Sequence, residues 1–136
     1  MITNVEGNTS SERVSLVFDS GAERSYIRGS LARSLGLSVL REEEFGVQAF
    51  TGTEVIKSSL VRARLHSKVN SQSFDLLLWT SEQLGGSLHF PKVPLPAGID
   101  ENNVVTRRDG STGSIDILIG SDIFWNLCTG KVIRGR

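Results

Sequence analysis

Cysteine is almost missing from this 136-residue chain, with Cys128 standing alone. One thiol closes no internal disulfide and builds no zinc site by itself. That usage leads us to expect a reducing, intracellular setting. Long apolar runs are missing as well. Leu76–Trp79 is typical of the longest, far short of the roughly 20 residues a membrane-crossing helix needs. Residues 1–13 are polar, so no signal segment and no membrane association are expected. Neither sign of charge is in excess, because 15 Lys and Arg meet 15 Asp and Glu. Nothing therefore draws the whole chain to nucleic acid or an anionic membrane. Repeats at solenoid periods are also lacking. The apolar share of 38% and charged share of 22% are those of a globular protein. The length suits a single domain over residues 1–136.

What is present reads mostly as short strands. Val14–Phe18 is a β-rich run that stops at the turn cluster Asp19-Ser20-Gly21. Residues 30–35 read as a short helix, with Gly36 at the left-handed position that ends it. Residues 46–55 predict a hairpin with Thr51-Gly52-Thr53 at its tip. Residues 60–66 alternate, placing Val61, Ala63 and Leu65 on one face and Arg62, Arg64 and His66 on the other. Residues 72–79 predict a further strand. From 82 to 114, prolines and glycines punctuate the chain, which predicts a long loop region. Ile115–Ile119 predicts a buried strand, 123–127 a helical turn, and Lys131–Ile133 a last strand. Many short strands with one or two short helices give an all-β class, sandwich or barrel.

The chemistry centres on Val17-Phe18-Asp19-Ser20-Gly21-Ala22. A carboxylate ends an apolar strand and enters a turn of small residues. Asp19 is there held rigidly, Ser20 can offer its hydroxyl to a neighbouring chain, and Gly21 lets backbone approach closely. Asp-Ser-Gly alone is also an ordinary turn tripeptide. A second motif, Ile117-Leu118-Ile119-Gly120-Ser121-Asp122, runs an apolar strand into a glycine.

Together the two motifs resemble the halves of the ψ-shaped element of aspartic proteases. The stretch Phe18–Ile27 with Leu35-Gly36-Leu37 behind it looks like the start of the protease domain of Pao/BEL-type retrotransposons. The stretch Ile115–Asp122, with Trp125 and Thr129–Gly135, looks like its end. The resemblance spans residues 13–133. It implies an acid-protease (retropepsin-like) closed barrel that works as a homodimer, since one motif supplies one carboxylate. Asp19 would be catalytic, and Ser20, Gly21, Ala22 and Gly120 would support the active site. Ala49, Phe50, Thr51 and Gly52 would form the substrate-binding flap. The implied activity is an aspartic endopeptidase acting on extended polypeptide, within the element's own polyprotein. It needs no metal and no cofactor. The implied location is the cytoplasm or an element particle. Retroviral relatives tend to carry an acid in the turn and an arginine after the distal glycine. Here Arg24 and Asp122 occupy those places, so an exchanged ion pair is expected, with Asp122 also capping the following helix.

Two other readings stay open. One is a domesticated, non-catalytic retropepsin-like module that dimerises or binds peptides. The other is a nucleic-acid module using Arg62, Arg64, Arg107, Arg108 and the tail 131–136, which the zero net charge disfavours. His66 and His89 lack partners at metal spacing. Cys128 reads as a small buried hydrophobe, and Glu42-Glu43-Glu44 as a solvated loop face.

Overall fold

A computed structural model describes residues 2–3, 11–49, 52–67, 71–82, 84, 87–90, 92, 94, 95, 97, 98, 100 and 110–128. The chain is mostly β-sheet with two short helices. The order is β1 (Ile2–Thr3), β2 (Ser11–Glu12), β3 (Leu16–Phe18), β4 (Tyr26–Arg28), α1 (Gly29–Ser34) and β5 (Val39–Ala49). Then come β6 (Gly52–His66), β7 (Ser73–Ser81), β8 (Ser87–His89), β9 (Thr112–Ser114), β10 (Ile117–Ile119) and α2 (Ser121–Leu127).

Among the described residues, eight strands form the main sheet in the order β2-β1-β6-β7-β4-β10-β3, with β5 hydrogen-bonded to β6 alone. The closed barrel implied by the resemblance is not what these strands make. Among the described residues, β2 and β3 are the two ends of an open path and do not pair. Among the described residues β3, which carries the approach to Asp19, is therefore an edge of the sheet.

The long β6 shows why the sheet forms where it does. Its inner half alternates as expected: Val61 and Ala63 are buried while Arg62 is exposed. Across the register they meet Leu78 and Leu76 of β7, whose intervening Leu77 is exposed. These four pack with Ile27, Leu31, Ala32, Leu35, Leu37, Ile117 and Ile119 into the core. Helix α1 contributes Leu31 and Ala32 and ends as its sequence asks. Gly36 has φ +62, its N–H reaches the Arg33 carbonyl at 3.1 Å, and the Leu37 N–H reaches that of Ala32 at 3.1 Å. This is a Schellman ending, which a side chain at position 36 would strain.

The region 82–114 is not wholly loop. β8 pairs antiparallel with β9 in a separate two-stranded sheet, joining Ser87–His89 to Thr112–Ser114. Strands three residues long carry too little alternation to stand out from their prolines and glycines. The hairpin is also longer than the expected 46–55. Residues 101–109 and the expected strand 131–133 lie outside the described residues. Among the described residues, no helix is long and apolar enough to cross a membrane.

Candidate active site

Strand β10 determines the site. It runs parallel to β3, with Ile117, Leu118 and Ile119 opposite Leu16, Val17 and Phe18. On its other side it runs antiparallel to β4, with Ile117 opposite Ile27 and Leu118 opposite Tyr26. The turn from 19 to 25 therefore bridges two strands that β10 separates. Backbone bonds fasten it there. The Asp19 N–H donates to the Ile119 carbonyl at 2.8 Å, and the Ser121 N–H to the Ala22 carbonyl at 2.7 Å. Within the turn, the Ala22 N–H donates to the Asp19 carbonyl at 3.1 Å. The Gly21 N–H donates to Asp19 Oδ1 at 3.0 Å, which fixes the carboxylate's orientation.

Gly120 lies where the two motifs cross. It is buried, and a Cβ there would overlap the Arg24 carbonyl oxygen and lie 2.8 Å from that of Ala22. Only a residue without a side chain lets β10 pass this close. Asp19, Ser20 and Gly21 are exposed and Ala22 is half-buried. Thus the structure brings together Asp19, Ser20, Gly21, Ala22 and Gly120, with the Asp19 carboxylate presented at the surface.

The exchanged ion pair does not form within the chain. Asp122 accepts instead from Ser25, whose hydroxyl lies 2.6 Å from Oδ1 and whose N–H lies 3.2 Å from Oδ2. Asp122 does not cap α2 either: the cap position is Gly120, without a side-chain cap bond, and Asp122 lies in the first turn. Ser25, fully buried, also accepts the Gly120 N–H at 2.9 Å. Its one hydroxyl thus ties the end of the Asp19 turn to both the distal glycine and α2. The sequence reading missed Ser25. A lone serine beside a strand gives little signal, and its partners lie 95 and 97 residues away.

Arg24 pairs with Glu43 at 3.2 Å instead of Asp122. Glu43 is thus no solvated loop residue but a half-buried member of β5. Cys128 is exposed rather than buried, because it follows a helix none of whose residues is fully buried. Arg62 is exposed on its strand as expected, and Arg64 pairs with Asp75 at 2.8 Å. The hydrogen bond from Arg64 holds the Asp75 carboxyl below the ordinary carboxylate range, as Arg33 does for Glu82. Neither pair belongs to the turn. Among the described residues, no cluster of three His, Cys, Asp or Glu could hold a metal ion.

The hairpin of β5 and β6 stays paired out to Ala49 opposite Gly52. Gly52 and Thr53, expected in the tip, are therefore part of β6 and paired. Phe50 and Thr51 lie outside the described residues. Gly52 begins β6 with φ +121, and every residue from 52 to 57 is exposed, so both faces of this end of β6 meet solvent. Beside Asp19 lies an aromatic row. The rings of Phe18 and Phe124 meet edge-on at 5.7 Å, and those of Phe124 and Trp125 at 4.8 Å. Phe18 is 52% exposed and Trp125 67%. Set against protein-family models, curated proteins and solved structures, the chain finds no match.

Proposed function

We propose that the chain is a retropepsin-like aspartic endopeptidase that works as a homodimer. It would process the polyprotein of a Pao/BEL-type element, in the cytoplasm or in element particles. The observation that carries this reading is the crossing of β10 behind the Asp19 turn. It presents a carboxylate on a fixed, exposed loop, locked by backbone bonds and the bare Gly120.

One chain supplies one such carboxylate, so a second copy completes the pair across a two-fold axis. Exposed Phe18 and Trp125 beside the turn offer apolar surface that a second copy would cover. The exposed Ser20 hydroxyls would then meet beneath the two Asp19 carboxylates. Two carboxylates at contact distance share one proton, the case for which aspartic proteases are a standard example. The ionised member takes a proton from the bound water. The protonated member donates to the substrate carbonyl oxygen. The water oxygen bonds to the carbonyl carbon, giving a diol. The carboxyl that took the water's proton then gives it to the amide nitrogen, and the C–N bond breaks. The diol collapses to a new acid and a new amine as the other carboxylate takes back a hydroxyl proton. The exposed hairpin would close over the peptide, its ribbon offering backbone groups to an extended strand.

A pH–rate profile on peptide substrates tests the reading. A shared proton gives a bell whose two limbs belong to the pair, not to either residue. Ala22 has no hydroxyl with which to favour the ionised form. The expected maximum therefore lies at mildly acidic to near-neutral pH. An optimum at gastric acidity, or a flat profile, contradicts it.

A further inference from the structure

The registers place four chemically matched side chains together beyond the catalytic turn. Directly opposed residues of neighbouring strands share a face. Arg41 of β5 lies opposite Leu60 of β6, and Leu60 lies opposite Trp79 of β7. Glu43 is two residues on from Arg41, so the period of a strand returns it to the same face. The buried Trp79 indole on this face is covered by two guanidinium groups. That of Arg41 lies 5.4 Å from the ring centroid and that of Arg24 lies 4.7 Å from it. Both cations pair with one carboxylate: Arg24 with Glu43 Oε2 at 3.2 Å, and Arg41 with Glu43 Oε1 at 3.1 Å.

This cluster joins three parts of the molecule. Arg41 and Glu43 stand at the base of the hairpin, Trp79 in the central sheet, and Arg24 at the end of the catalytic turn. Trp79 is tied to that turn a second time, through its N–H to the Ser25 carbonyl at 2.9 Å. Beyond the base, among the described residues, β5 pairs with β6 only, and β6 from Gly52 to Lys57 is exposed. The base therefore decides where the tip points. Two cations beside one ring repel each other unless an anion lies between them, and Glu43 supplies it.

We propose that Glu43 is a positioning residue. It clamps Arg41 of the hairpin base and Arg24 of the catalytic turn against Trp79, and so sets the hairpin's angle over the site. As a role in catalysis, this rests on the peptidase reading and on the hairpin being its flap. Glu43 touches no reacting group. It acts by limiting the hairpin's excursions and by keeping the turn aligned with them.

The test measures hairpin position and turnover separately. Spin labels at Thr53→Cys and Ser30→Cys, in a Cys128→Ser background, report the tip-to-core distance distribution by pulsed electron resonance. The labelled chain is mixed into an excess of unlabelled chain so that distances arise within one subunit. Glu43→Gln is expected to broaden the distribution, with the thermal midpoint unchanged within a few degrees. In the unlabelled enzyme it is expected to lower kcat/KM roughly tenfold. Arg41→Gln should broaden the distribution similarly. The double variant should do no more, because one clamp is broken once. An unchanged width in Glu43→Gln overturns the proposal, as does full additivity of the two variants. If the wild-type chain cleaves nothing, the peptidase reading falls. The distance distributions then still decide whether the clamp exists.

Discussion

Asp19→Asn is expected to lower peptide hydrolysis by about a thousandfold or more, the upper range for loss of a general acid–base group. The amide keeps the shape of the carboxylate, and its oxygen can still accept the Gly21 N–H that the carboxylate accepts at 3.0 Å. The turn also hangs on backbone bonds that the substitution does not touch, from Asp19 to Ile119 and from Ser121 to Ala22. Fold and thermal midpoint should therefore survive while the chemistry is lost. An amide neither takes a proton from water nor shares one with a facing carboxylate. Hydrolysis rates and thermal unfolding of the purified variant give the comparison. Cleavage near the wild-type rate, free of contaminating protease, removes Asp19 from the mechanism.

Gly120→Ala should have the opposite profile, striking the fold first. The backbone at Gly120 has φ −89, which any residue adopts, so conformational freedom is not the issue. The cost lies in contact. An added Cβ overlaps the Arg24 carbonyl oxygen and sits 2.8 Å from that of Ala22, and both obstacles are backbone. Relief requires β10 to move away from the turn. That would stretch the Ser121-to-Ala22 bond and the Gly120-to-Ser25 bond together. Overpacking a close crossing costs roughly 1–3 kcal/mol and sometimes more, and we expect about 3 kcal/mol. Denaturant unfolding would read it directly. A variant with wild-type stability would mean that the crossing is looser than described.

These two positions were legible in the sequence because each carries its reason locally. A carboxylate at the end of Val14–Phe18 and a glycine at the end of Ile115–Ile119 both stop an apolar run abruptly. Alternation over 60–66 named the buried Val61 and Ala63 in advance, and Gly36 marked the end of α1. What escaped depends on long-range register. Nothing near Ser25 tells which residue will arrive 97 positions later, so its bond to Asp122 was invisible, and the resemblance to the retroviral pattern pointed to Arg24 instead. Likewise Glu43 looked like one of three solvated acids. Only the pairing of β5, β6 and β7 brings it between Arg24 and Arg41. The barrel was expected from the resemblance, whereas closure depends on whether β2 and β3 meet, and they do not.

The central claim is that two copies of this chain make one active site. The direct measurement is specific activity on a peptide substrate across a dilution series, with sedimentation of the same samples. Activity per chain should fall with the square-law loss of dimer, in step with the appearance of monomer. Both curves should yield one dissociation constant. Exposed Phe18 and Trp125 should become covered in the dimer, so substituting Trp125 by a charged residue should move both curves together to higher concentration. Constant specific activity in samples that sediment as monomer would contradict the account.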